Sequence, residues 1–276
     1  MPKLLALLCL CALTAAPTRS QEPTNAPSAT MPAPGLLAIK AMFRYDRYRN
    51  DPTGAQRDVD MYRQMLHVAY GVRPGLVGFA RSSLMQRSIE SPGPSDGDDA
   101  GIGDLMIGAR YRFYRYDSGP TDTLRLALEG SLRLPTGSDE FTTDTISPSL
   151  GVNLTMIRGR HGFNASAGYH LTTGDTPQRI HPGDSLADHA HLSLAHLYRV
   201  APASFATTSE AAWYTQLELL GHAETNGDTD LELAPGILYE ARRWAAEASV
   251  LVPLFDDLSE RPDREVGVVL GFRLLF

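Results

Sequence analysis

Cysteine is almost missing from this chain: Cys9 and Cys11 are the only two, and both lie within the first twenty residues. Beyond residue 20 a disulfide, a thiolate metal site and a thiol nucleophile are all excluded. Lysine is equally scarce, with Lys3 and Lys40 alone, so the basic charge is carried by arginine. Basic residues number 25 against 32 acidic ones, a formal net charge of −7, and such a balance argues against a general nucleic-acid binder. After the first twenty residues no apolar run approaches the roughly 18 residues that a membrane-spanning helix needs. Yet 43% of the residues are apolar, too many for a disordered chain. What remains is a soluble β-rich or mixed domain, or a membrane barrel, whose alternating strands look bland to hydropathy.

The amino terminus sets the compartment. Met1-Pro2-Lys3, the apolar run from Leu4 to Ala16 and the small residues before Ser20 have the order of a secretory signal over residues 1–20. Cleavage after Ser20 leaves 23 basic and 32 acidic residues, a net charge of −9. Residues 21–34, rich in Pro, Ser, Thr and Ala, read as a flexible periplasmic leader.

From Gly35 onward the apolar residues recur with period 2. The last segment is the clearest: Val266, Val268, Leu270, Phe272, Leu274 and Phe276 alternate with Gly267, Gly271 and Arg273. About twelve such segments follow one another, near 35–47, 58–71, 75–88, 101–116, 122–135, 145–158, 161–172, 186–200, 209–221, 229–241, 243–254 and 264–276. They exceed the roughly 5–6 residues of an ordinary strand and match the length of a tilted strand that crosses a bilayer and extends beyond it. Their connections alternate short and long, as expected of short periplasmic turns and longer extracellular loops. The pattern predicts an all-β fold, an antiparallel transmembrane β-barrel of about 12 strands over 35–276, in the bacterial outer membrane of a Gram-negative cell, with both ends of the barrel in the periplasm.

Cost decides which face meets lipid. An arginine at the lipid midplane of a barrel costs about 2–4 kcal/mol. Arg110, Arg112, Arg125, Glu129, Arg133, Glu218, Glu232 and Glu240 lie opposite the leucines and are therefore expected to line the lumen, with Lys40, Tyr114 and Arg273 among others. The first five segments lean basic and the ninth to eleventh acidic, which predicts opposed walls or mutually satisfied wall charges. With about twelve strands tilted near 40°, the backbone radius is ~12 Å, so side chains narrow or close the bore.

Two short motifs stand apart. Gly101-Ile102-Gly103-Asp104-Leu105 opens the fourth segment and Leu134-Pro135-Thr136-Gly137 closes the fifth; Gly168-Tyr169 lies in the seventh. The glycines suit a loop entering a strand, and Asp104 is expected to point inward beside Arg110 and Arg112. With the signal and the barrel pattern, these motifs resemble the outer-membrane proteins of the putative MetA-pathway of phenol degradation family, often described as transporters. The resemblance covers most of the chain after the signal and implies a barrel that takes up hydrophobic or aromatic compounds. A terminal Phe276 preceded by alternating apolar residues also resembles the assembly signal read by the outer-membrane insertion machinery.

Histidine is the other chemistry-bearing type. His189 and His191 share the inward face two residues apart, a spacing able to ligate Zn²⁺ or Cu²⁺. Catalysis has little support: Ser166 and His170 share a face about 13 Å apart along one strand, beyond hydrogen-bond reach. The expected protein is a non-enzyme without a cofactor, a narrow channel for passive uptake of small hydrophobic or aromatic solutes. A structural or His-lined, metal-binding barrel without conduction is the alternative. Its partners are then the lipid bilayer, the insertion machinery and a small-molecule solute, with no nucleic acid.

Overall fold

A computed structural model describes residues 21–93, 96–119, 122–176, 178–206 and 210–276; the expected signal, residues 1–20, lies outside them. The strands are β1 (Leu37–Arg49), β2 (Asp58–Arg73), β3 (Leu76–Glu90), β4 (Gly97–Ile102), β5 (Leu105–Asp117), β6 (Thr123–Leu134), β7 (Ser147–Arg158), β8 (His161–His170), β9 (His189–Ala201), β10 (Ala212–Glu224), β11 (Thr229–Glu240), β12 (Trp244–Asp257) and β13 (Asp263–Leu275). Each pairs antiparallel with its sequence neighbour, except that β3 pairs with both β4 and β5, and β1 with β13 closes the ring. β4 and β5 are two halves of one barrel strand interrupted at Gly103-Asp104, so the barrel closes with twelve staves, and the outer edge of β4 alone has no strand partner among the described residues. All twelve expected segments are present, and no helix of the described residues is long and apolar enough to cross a membrane.

The period-2 pattern has the sense that cost demands. Leu66, Leu128, Leu150, Leu192, Leu217, Ile237 and Leu270 stand exposed on the outside, where lipid rather than water receives them. Outward aromatics gather near the end of the barrel where the last strand stops: Trp213, Tyr239, Trp244 and Phe272 form a chain of ring contacts 4.7, 5.0 and 5.8 Å apart. Such rings suit the headgroup level.

The pairing register shifts at five places, and two of these shifts reverse the side on which a polar residue stands. The register of β5 against β6 shifts between Arg112 and Tyr114. Tyr114 and Tyr116 thereby pair with the outward Leu126 and Leu124, so Tyr114, expected in the lumen, joins the outer girdle instead. An extra residue re-aims everything after it. The second shift lies where Arg47 pairs with Val266 and Tyr48 with Arg264. It carries Arg264 inward although strict alternation would set it with Val266 against lipid.

Candidate functional site: the filled lumen

The leader is inside the barrel. Residues 21–31 are largely buried, Ser28 and Ala29 completely, in place of the flexible periplasmic segment that their composition suggested. Their backbone forms no ladder, so its polar groups need wall partners, and the inward polar positions supply them. The fully buried Glu218 on β10 accepts the N–H of Asn25 at 3.0 Å, the N–H of Ala26 at 2.7 Å and Asn25 Nδ2 at 3.0 Å. Asn25 Nδ2 also reaches Ser249 Oγ on β12 at 3.0 Å. Thr155 Oγ1 on β7 accepts the Ala29 N–H at 2.9 Å. Lys40 Nζ donates to the Thr24 carbonyl at 3.0 Å, and Arg110 to that of Thr30 at 3.3 Å. Glu22 pairs with Arg273. Small apolar contacts complete the seat, with Ala29 and Met31 against Val77 and Ala127. At the exit, a Cβ on Gly71 would stand 2.1 Å from the Ala33 carbonyl oxygen, so only glycine lets the leader pass β2 there.

A second element closes the end of the barrel opposite the one where the last strand stops. In the loop 171–188, Ile180 is wholly buried among Tyr48, Val59, Met61 and Ile89. His181 Nδ1 meets Tyr48 Oη at 2.9 Å and its Nε2 lies 3.2 Å from Met61 Sδ. Both walls hold the loop: Arg133 donates to the Gly183 carbonyl at 3.3 Å, and Glu224 accepts the Gly183 N–H at 3.0 Å. Asp184 accepts the N–H groups of Ile180 and His181 at 3.2 and 2.8 Å. Burial drives the His181 imidazole well below its usual range, with Arg63 adding to the effect, and pushes the Asp184 carboxyl up.

Between the two, the wall charges form networks. Asp46, fully buried, takes Arg44 at 2.8 Å, Arg63 at 2.6 Å and Arg264 at 3.1 Å, and Arg264 also pairs with Glu232. Glu129 takes Arg110 at 2.5 Å and Arg81 at 3.3 Å. Lys40 meets Glu247 at 2.8 Å, and Arg273 lies 3.6 Å from Glu240. Buried pairs of this kind satisfy each other and contribute little net stability, but removing one partner strands a buried charge. Of the expected lumen residues, Arg110, Glu129, Glu232 and Glu240 are thus joined by ion pairs, while Glu218 and Arg133 hold the plugs. Arg125 is 8% exposed and gives its Nε–H to Thr123 Oγ1 at 3.2 Å. Arg112, two residues beyond Arg110 on the same face, pairs in register with Ala127.

Asp104 does something else. Its carboxylate turns away from Arg110 and Arg112 and accepts the backbone N–H groups of Thr136, Gly137 and Thr143 at 3.2, 3.0 and 3.2 Å. The two sequence motifs therefore meet, with Asp104 holding the loop 135–146 over the open edge of β4. The glycines are explained by the same approach. A Cβ on Gly101 would meet Ser138 at 2.6 Å, and one on Gly137 the Ile102 carbonyl oxygen at 2.9 Å.

His189 is buried, and both it and His191 lie against the ring of His170. The His189 ring stacks on His170 at 4.3 Å, with His191 5.3 Å from His170, and His222 Nδ1 is 2.9 Å from Asp230. Among the described residues no group of three or more His, Cys, Asp or Glu side chains is arranged to hold a metal ion. Ser166 pairs with Ser193 at 2.6 Å rather than with His170. Phe276 faces outward, and its N–H and carbonyl both bond Leu37, at 2.8 and 3.0 Å, locking the seam of the barrel.

Inward parity covers Arg44 and Arg63 of the Asp46 cluster, whereas Asp46 itself, Arg81, Arg264 and the plug loop were not among the expected lumen residues. Asp46 shares parity with Lys40 and Arg44 and was legible; Arg264 was hidden by its bulge. Below the leader a cavity of about 100 Å³ opens at the end of the barrel where the last strand stops, bounded by Thr30, Met31, His67, Phe79, Arg125 and Arg273 among others.

The fold is similar to that of the COG4313 outer membrane channel from Pseudomonas putida F1, with 13% identity and a TM-score of 0.63 over 92% of this chain and 100% of that one. The NanC porin aligns at 12% identity and a TM-score of 0.45 over 86% of this chain and 98% of that one. The KdgM porin in complex with disordered oligogalacturonate aligns at 8% and 0.45, over 86% and 99%. No curated protein matches the chain. Residues 18–244 match the family described as putative MetA-pathway of phenol degradation; the chain belongs to that family, as a twelve-stranded barrel of the bacterial outer membrane.

Proposed function

We propose that this barrel is a gated, narrow channel for passive uptake of small hydrophobic or aromatic solutes, and that residues 21–34 are its movable plug. The carrying observation is how the leader is held. It is seated by side-chain hydrogen bonds to strands β5, β7, β10 and β12, not by a strand ladder or a large apolar core. Water can replace such contacts one for one when the leader leaves, because each net bond is worth only about 0.5–1.5 kcal/mol, or about 1.5–3 where a charge takes part. A wall lined by paired charges then becomes a hydrated path. The family described for phenol degradation supports an aromatic class of solute.

Planar-bilayer recording tests this reading: purified barrel, with phenolic and aliphatic solutes added in turn. Discrete openings blocked by one solute class are expected. A folded, heat-modifiable barrel that stays silent with and without its leader would sink the reading. The specific support for the second reading, a structural barrel, is that the lumen is filled at both levels; silence of the leaderless barrel is its signature.

A further inference from the structure

We propose that the cavity below the leader is a binding site for a small aromatic carboxylate, a single ring bearing one anionic group. The proposal rests on the channel reading and names the solute class that the inner end of the path would hold. Size comes first. The cavity is about 100 Å³, less than the about 150 Å³ of a closed apolar cavity that takes up benzene, so two rings do not fit and a single ring sits with one edge in the open mouth.

Chemistry comes second. One side is apolar, formed by Met31 of the leader with Ala69, Val77 and Phe79. The other side is cationic. Lys40 is matched by Glu247, Arg110 by Glu129, and Arg273 by Glu22 and Glu240. Glu210, also on the lining, accepts the Ala206 N–H at 2.7 Å. Arg125 is different. It is buried, it lines the cavity, and its only hydrogen bond among the described residues is the one from Nε to Thr123 Oγ1. The nearby Asp117 is drawn off by Arg115 at 2.5 Å and by Thr123 Oγ1 at 2.6 Å. Arg115 itself pairs in register with Arg125, so the local field is positive. A buried guanidinium without a carboxylate carries an uncompensated desolvation cost, and its free N–H groups match a carboxylate's two oxygens. Arg242 and Arg243 at the mouth would draw an anion in. A neutral phenol fills the apolar half and leaves Arg125 uncompensated; acetate answers Arg125 and leaves the apolar half wet.

Isothermal titration of the detergent-solubilised, full-length processed barrel with benzoate, benzyl alcohol and acetate tests the site. Benzoate is expected to bind at least tenfold more tightly than either of the others. Arg125→Gln should weaken benzoate at least tenfold and leave benzyl alcohol unchanged. Benzyl alcohol binding as tightly as benzoate overturns the proposal, as does an Arg125→Gln barrel that titrates like the parent. If Arg125→Gln fails to assemble, the ligand series on the parent decides alone. Failure of the channel reading looks different: benzoate then binds to a barrel that never conducts. Conduction without a preference for benzoate would retain the channel and discard the site.

Discussion

Glu218→Ala should loosen the plug. In the parent barrel this fully buried carboxylate is the sole side chain to receive both consecutive leader amides, of Asn25 and Ala26, at 3.0 and 2.7 Å among the described residues. Truncation leaves both N–H groups without an acceptor where water is excluded. Each orphan costs about 1–3 kcal/mol, so the docked leader loses about 3 kcal/mol. At 1.4 kcal/mol per tenfold, the undocked population rises roughly a hundredfold. Ser249→Ala grades the argument: it removes one neutral bond, from Asn25 Nδ2 at 3.0 Å, worth about 1 kcal/mol and therefore about fivefold. Single-channel recording in planar bilayers reads both as opening frequency, with heat-modifiable migration on gels confirming that each barrel is folded. The expected order is parent, Ser249→Ala, Glu218→Ala, then the barrel lacking residues 21–34, which should stay open. Equal opening frequency in the parent and Glu218→Ala barrels would refute the reasoning.

Three further predictions follow from the loops and the seam. Asp104→Ala removes the acceptor of three backbone N–H groups, so protease should cut within 136–143 at least tenfold faster while the barrel stays heat-modifiable; unchanged cleavage would remove Asp104 from this role. The docked loop 171–188 keeps His181 neutral, because burial and then Arg63 lower its pKa from 6.5; docking is therefore complete above about pH 6.5 and weakens as pH falls. Asp184, raised from 3.8 by burial, opposes this, since its protonation relieves a penalty as pH falls. Hydrogen exchange over 171–188, normalised to the intrinsic amide rate at each pH, should accordingly rise from pH 7.5 to 5, fall in His181→Gln, where only the Asp184 effect remains, and rise more steeply in Asp184→Asn. Deleting Phe276 removes the two backbone bonds to Leu37 and the terminal aromatic; outer-membrane levels should fall severalfold in cells, and parental levels would show that Phe276 is dispensable for assembly.

The barrel was readable in the sequence because a lipid-facing strand cannot hide its period. Leu124, Leu126, Leu128 and Leu132 alternate with Arg125, Glu129 and Arg133, and only one face of that strand can afford hydrocarbon. Parity failed where an extra residue enters a strand, at Phe113 and at Glu265, and a bulge leaves no mark in a pattern of two. The leader was misjudged for a different reason. Its composition is that of a linker, lacking a core of its own, but the acceptors that order it belong to Glu218, Ser249 and Thr155, which are about 130 to 220 residues distant in sequence. Asp104 shows the same limit. Parity set it beside Arg110 and Arg112, yet the three amides it holds sit on a loop that period-2 reasoning cannot place.

The central claim is that the leader occupies the conducting path. Because no cysteine follows residue 20, an Ala29→Cys, Ala127→Cys barrel carries only its two introduced thiols, on residues that pack in one cluster. Bridging them with a short reducible bis-thiol reagent pins the plug to β6, and a reductant frees it. The account predicts silence in the bridged barrel and openings after reduction, recorded from the same bilayer. The same conductance in both states would contradict it, because the path would then bypass the leader.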